Sequence, residues 1–393
     1  MSKKIITGVK PTGSSMHLGN LMGAVLPFAR VAKGNDAAIF IADLHAITSV
    51  KNGKTLRDQT LELAIEYLSI YGVDTPITIF RQSDIADITK LMWILTNVTP
   101  YSLMLRAHSY KDFQQQKEMI LHTIGHNKGL AQAYDNAIKL IGGDLDDIMS
   151  NPILKFFLEQ SSIVQQKEIG LQKQLQELTY NFENNLNMGV FNYPILMAAD
   201  IIGYDCEAVP VGKDQIQHLE MTRDIARVFN KTYGQEVFVE PEAIIEESVA
   251  TLPGIDGRKM SKSYDNFIGI FDDEKTMKKR VMSISTGSEG IDEKKKNPDE
   301  CNVFNLYKVF ATPEEITVLR AKYESENIGF GYGHAKTELL MVLQRYLEPY
   351  RATREKLLND IPFVEAKLAE GAKIMNARLE AKMKIVREVV GVN

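Results

Sequence analysis

At 393 residues the chain is long enough for two domains, and its 44% hydrophobic and 25% charged residues are those of an ordinary globular protein. A formal net charge of −5 excludes a wholesale basic coat for nucleic acid and leaves room only for local basic faces. The two cysteines, Cys206 and Cys301, form no metal-type cluster, and no run approaches the roughly 18 apolar residues of a membrane span. We therefore assign no metal-ligating residue and expect no membrane partner and a cytoplasmic location.

The first apolar run, Lys4-Ile5-Ile6-Thr7-Gly8, reads as a short buried strand. It passes through the Gly-rich turn Val9-Lys10-Pro11-Thr12-Gly13-Ser14-Ser15-Met16 into His17-Leu18-Gly19-Asn20, and a helix carrying Leu21, Met22, Ala24, Val25 and Leu26 follows. Strand, turn and helix N-terminus together make an anion site, because free N–H groups and the helix dipole point at a ligand. Gly19 leaves room for a flat base to approach the backbone. Strands are expected again at Ala37-Ala38-Ile39-Phe40-Ile41 and Ile77-Thr78-Ile79-Phe80. Between them, Leu56 to Tyr71 places Leu61, Ala64, Ile65 and Leu68 on one helix face. Such alternation implies a parallel sheet covered by helices, with ligands at the carboxyl ends of its strands.

A helix-rich segment, 114–187, interrupts the pattern with a break at Gly142-Gly143-Asp144. It reads either as an arm over a site or toward RNA, or as a passive elaboration of the surface. Strand and helix resume over 188–273, where Val209-Pro210-Val211-Gly212 looks like a strand exit. Tyr193, Met197 and Asp200 fall at i, i+4 and i+7, on one face of a helix. From 274 to 393 the sequence turns helical. Thr312 before Pro313 marks one helix start, and Gly329-Phe330-Gly331-Tyr332-Gly333 marks a turn before another. Phe363 to Val390 aligns Leu368, Met375, Leu379, Met383 and Val386 in a stripe. Its Lys373, Arg378, Lys382, Lys384 and Arg387 make a basic end, either a solvated face or an RNA contact.

Within the second strand-and-helix stretch lies the loop Gly257-Arg258-Lys259-Met260-Ser261-Lys262-Ser263. Two lysines three apart, with hydroxyls between and after them, suit an arm that holds a polyphosphate whose charge shifts during reaction.

The two loops together resemble the two signatures of class I aminoacyl-tRNA synthetases. His17-Leu18-Gly19-Asn20 is similar to the first, with Asn20 where a second histidine usually stands, and Lys259 to Ser263 matches the second letter for letter. Within that class the chain resembles the bacterial-type tryptophanyl-tRNA synthetases. The supporting blocks are Phe40 to Thr48, Tyr193 to Ile201 and Val209 to Glu220. The resemblance implies a doubly wound α/β nucleotide-binding catalytic domain (1–113 and 188–273), the helical insertion 114–187, and an all-helical anticodon-binding domain over 274–393. It implies catalytic roles for Lys259, Lys262, Ser261 and His17. ATP would meet Lys10, Thr12, Gly19, Asn20, Gly212, Asp214, Gln217, Met260 and Ser263. Tryptophan would meet Ile6, His45, Met197, Asp200, Ile201, Val209, Val211 and Gln215. An indole offers a large apolar face and one N–H donor, which a carboxylate at Asp200 among apolar neighbours matches.

Expected with these are ATP as substrate, Mg2+, a tRNA for tryptophan and a homodimer. Lys10 replaces the family's usual glutamine, and Ile6 replaces a common aromatic. A tyrosyl-tRNA synthetase and a non-catalytic tryptophan- or RNA-binding relative are the alternatives. Met197, in place of the tyrosyl enzymes' glutamine, argues against the first. The retained His17, Asp200, Lys259 and Lys262 argue against the second.

Overall fold

Five short strands, Lys4–Val9, Asp36–Ile41, Thr78–Arg81, Ala208–Pro210 and Glu242–Ile244 (β1 to β5), form one sheet in the order β3-β2-β1-β4-β5. Every pairing is parallel. The computed structural model describes residues 2–11, 13, 15–106, 108–141, 151–185, 187–212, 215–244, 252–293, 297–326 and 329–392. The four expected strands all form, with ends moved by a residue or so. β5, short and half polar, carries no apolar run that would announce it. The Gly142-Gly143-Asp144 break lies outside the described residues.

The contacts divide the chain into two units, Met1–Leu95 with Leu196–Asn393, and Thr96–Ile195. In the first, side chains alternate across the strands, and β1 to β4 bury residues on both faces, whereas β5 does not. Ile5 and Ile39 join Leu18, Leu21, Ile65 and Leu68 in one continuous apolar core. On the opposite face, Phe40 meets Phe80 at 5.9 Å between ring centroids, and Phe80 meets Tyr204 edge-on at 6.2 Å. The helix Ile361–Val390 lies against β3. A Cβ on its Gly371 would stand 2.1 Å from the Ile79 carbonyl oxygen, so only glycine permits that approach. Helices on both faces make the doubly wound arrangement. The strand order reverses between β1 and β4, the crevice where such sheets take their ligands.

The helical region from 274 onward belongs to this same unit. Thr312 caps the helix Pro313–Glu324 as expected, in a reciprocal box with Glu315. All five residues of the expected stripe on Ile361–Val390 are buried. Three of its five basic residues are occupied within the unit. Lys382 donates to the Val237 carbonyl at 2.8 Å, Arg378 pairs with Asp36 at 3.0 Å, and Arg387 pairs with Asp87 at 3.1 Å. That basic end serves in large part to fasten the helix.

The second unit encloses the expected insertion and extends beyond it at both ends. Two 34-residue helices, His108–Ile141 and Pro152–Asn185, dominate it. Each is about 50 Å long at 1.5 Å per residue. Phe113 stacks on Phe182 at 3.7 Å, Lys128 pairs with Glu168 at 3.6 Å, and Ser161 donates to Asp135 at 2.8 Å. Partners early in one helix are late in the other, so the pair is antiparallel. Ile120, Ile124, Ala131, Leu154 and Val164 fill its seam. Ile153, Phe156 and Leu158, on the second helix, are exposed in the chain.

Candidate active site

The chain leaves β1 at the strand-order reversal and enters the first motif. His17 caps the helix that follows. Its Nδ1 accepts the Asn20 N–H at 3.2 Å, while the Asn20 side chain accepts the His17 N–H at 3.1 Å. Asn20, in the place of a second histidine, thus closes a reciprocal cap. Burial, then the charge of Lys262, pushes the imidazole down to about 4, so His17 is neutral at neutral pH. With Nδ1 accepting, the proton of that neutral ring sits on Nε2. One stretch of π-helix, Leu21–Val25, follows at once and leads into the helix Leu26–Ala32. Such insertions are frequent at functional sites.

The lysine loop is tied to this motif through the backbone. Leu18 N–H donates to the Ile268 carbonyl at 3.0 Å, and Ile270 N–H donates to the Met16 carbonyl at 2.9 Å. Met260 is buried, with its Cβ 3.5 Å from the place a Cβ on Gly19 would take. Asn266, itself buried, organises the loop. Its side chain accepts from Ser261 N–H at 2.7 Å and donates to the Lys259 carbonyl at 3.1 Å. Ser261 in turn accepts the Ser263 N–H at 3.3 Å.

Lys262 lines an open cleft together with Lys10, Asn20, Glu62 and Glu66. Lys10 donates to the Thr48 hydroxyl at 3.1 Å, and burial pushes its ammonium down. A second cleft shares Val9, Ala24, Val25 and Tyr67 with the first and adds Val211 and Gly212. The structure therefore brings Lys10, Asn20, Lys262, Val211 and Gly212 to one connected crevice. The Lys259 and Ser263 side chains are exposed on the loop and line neither cleft. Thr12 and Asp214 lie outside the described residues.

A separate polar cluster surrounds Asp200, on the helix Met188–Ile202. The carboxylate is 2% exposed. Gln82 Nε2 donates to both its oxygens at 2.7 and 2.9 Å, and His45 Nε2 lies 3.0 Å from Oδ2. Burial pushes Asp200 up, and His45 and Gln82 pull it back. A carboxylate has about four acceptor positions, so these partners leave room for one more donor. Ile6, Ile201 and Val209 are buried, and Met197 is half-buried. Gln215 and Gln217 sit at the start of the helix Ile216–Tyr233.

Sequence reasoning missed Gln82, Asp43 and Glu66. Asp43 accepts the Ser83 N–H at 3.0 Å and so holds the segment that carries Gln82. The signal for Gln82 was its position directly after β3, where a sheet of this type presents ligand groups.

A parallel nucleotide-binding sheet, a histidine-capped helix at its reversal point and a lysine loop pinned beside it define a class I aminoacyl-tRNA synthetase. The family described as tRNA synthetases class I (W and Y) matches residues 2–137 and 149–348. A tryptophan–tRNA ligase of Fusobacterium nucleatum is 37% identical over 390 residues, covering 99% of this chain and 98% of the relative. One from Rhodopirellula baltica is 34% identical over 371 residues, covering 94% and 93%. The tryptophanyl-tRNA synthetase of Campylobacter jejuni, solved in complex with ADP and tryptophan, superposes with a TM-score of 0.77 at 32% identity. It covers 99% of this chain and all of its own. The chain belongs to the tryptophan–tRNA ligases of this class I family.

Proposed function

We propose that the chain charges a tRNA with tryptophan in two steps and that the crevice at the β1–β4 reversal performs the first. The observation that carries this reading is the convergence of Lys10, Asn20 and Lys262 on one cleft beside the capped helix. In the first step a tryptophan carboxylate oxygen bonds to the α-phosphorus of ATP. The bond from that phosphorus to the β-phosphate bridging oxygen breaks, giving tryptophanyl-adenylate and pyrophosphate. No protein nucleophile is needed, so the chain supplies position and charge. Lys262, with Lys259 once nucleotide draws the loop in, meets the negative charge that grows on the leaving pyrophosphate. Ser261 and Ser263 add hydroxyl hydrogen bonds. Neutral His17 offers an N–H donor to the nucleotide, with Gly19 and Met260 beside it.

Asp200 accepts the indole N–H, and Gln82 and His45 hold it in place to do so. Met197, Ile6, Ile201, Val209 and Val211 supply apolar contact, and Gln215 a polar rim. Gly212, Thr12, Asp214 and Gln217 frame the rest of the nucleotide site. Magnesium arrives on the triphosphate, as part of the substrate. Among the described residues no group of three or more His, Cys, Asp or Glu forms a cage for it. In the second step a hydroxyl of the tRNA's terminal ribose takes the aminoacyl group and AMP leaves. We place the protein in the cytoplasm as a homodimer. Among the described residues no helix is long and apolar enough to cross a membrane.

ATP–pyrophosphate exchange, run separately with tryptophan and with tyrosine, tests this reading. Exchange that depends on tryptophan supports it. Exchange with tyrosine alone, or with neither, overturns it.

A further inference from the structure

The helix Gly53–Tyr71 carries an acid into its apolar side. Glu66, between Ile65 and Tyr67, is 2% exposed. A carboxylate so buried is costly unless it is held. Its Oε1 accepts the Ser15 hydroxyl at 2.7 Å and the Met16 N–H at 3.1 Å. Ser15 and Met16 run directly into His17, so this contact fixes the turn that delivers the first motif. The same carboxylate lines the cleft it shares with Lys10, Asn20 and Lys262. Burial pushes Glu66 up and Lys262 down, and the charge of each partly offsets the shift of the other. Glu62, the other acid of the cleft, is paired with Arg354.

We propose that Glu66 is a positioning residue with two separable actions: its Oε1 tethers the Ser15–Met16 turn, and its negative charge holds the Lys262 ammonium in the cleft in competition with the triphosphate of ATP. The proposal rests on the reading of Lys262 as a phosphate ligand. A polyanion entering the cleft has to draw Lys262 from Glu66 and bear the repulsion of Glu66 itself. Neither effect is confined to the transition state, so both fall on the binding of ATP and pyrophosphate rather than on the rate of the bound complex. The acid acts as a brake on polyphosphate affinity, which keeps the product pyrophosphate from lingering.

Two variants of the full chain separate the actions. Glu66→Gln keeps an oxygen for Ser15 and Met16 and removes the charge. The KM for ATP is expected to fall about fivefold, the scale of one charge interaction at a partly exposed site, with pyrophosphate inhibition tightening alike and the KM for tryptophan unchanged. Glu66→Ala removes the tether as well, and the KM for ATP is expected to rise. A merely structural glutamate would shift both variants in the same direction. An unchanged or raised KM for ATP in Glu66→Gln overturns the proposal, whether or not the alanine variant folds. In a Lys262→Ala background the gain from Glu66→Gln is expected to shrink to less than about twofold, since coupled sites are not additive. An undiminished gain overturns the competition for Lys262. If Lys262→Ala alone leaves adenylate formation at the parent rate, the reading of Lys262 fails. If that variant is slow while Glu66→Gln leaves ATP binding unaltered, only the role of Glu66 fails.

Discussion

The sheet unit and the helical hairpin hold themselves together in different ways. In the sheet unit the decisive contacts join residues far apart in sequence. Asp200 is held by Gln82 and His45, Met16 by Glu66, and Arg387 by Asp87. In the hairpin one seam between two long helices carries the structure, and its outer faces carry Leu140 at 89% and Phe156 at 52% exposure. A site that must place several groups to within fractions of an ångström needs scaffolding that comes from many directions. A hairpin needs only its partner helix. Substitutions in the first should therefore register in both chemistry and folding, whereas those on the outer faces of the second should register in neither.

The largest expected effect is at Lys262. Lys262→Ala should slow adenylate formation about 100- to 1,000-fold, the scale of one lost electrostatic donor, with tryptophan affinity intact. Single-turnover kinetics checks this, and an equal rate in variant and parent would break the assignment. In stability, Leu21→Ala should cost about 3 kcal/mol in urea unfolding because it opens a cavity in the sheet unit's core. Leu140→Ala on the hairpin should stay within about 0.5 kcal/mol. Comparable losses at the two positions would erase the contrast between the units. Asp200→Ala should weaken tryptophan binding about 10- to 100-fold by calorimetry and leave ATP binding nearly unchanged.

A further expected effect is a pH dependence at His17. The folded imidazole titrates near 4 against the ordinary value of 6.5. Between these values the unfolded chain binds a proton that the folded chain does not, so this contribution is complete above 6.5 and is lost as pH falls toward 4. Urea midpoints taken across that window should fall less steeply in His17→Asn than in the parent.

Much of the sheet unit was legible because its signals are local. Lys4 to Gly8 is apolar enough to be a strand, Thr312-Pro313 is a helix start on its own chemistry, and the lysine loop is a contiguous heptapeptide. What was hidden depends on partners brought in by the fold. Glu66 reads as one more acid on a helix until Ser15 and Met16 arrive. Lys382, Arg378 and Arg387 read as a basic surface until Val237, Asp36 and Asp87 claim them. Lys259 illustrates the opposite case. Its motif is unmistakable, yet its side chain is exposed to solvent. In the hairpin, periodicity revealed helices but not which apolar positions form the seam, because 3.6-residue repeats on Gln-rich helices mark several faces at once.

The placement of β1 has a consequence for synthesis. Ile5 finds its neighbour Ala208 only after some two hundred further residues have been translated, and the helix that backs β3 begins at Ile361. At 5–20 residues per second, the first strand waits about 10 to 40 s for the fourth. During that interval the β1 edge that β4 will cover is bare, while β1 to β3 and the helices of the hairpin can already close on near neighbours. Nascent chains of this protein thus spend most of their time on the ribosome with an unfinished sheet, the stage at which a holding chaperone matters most.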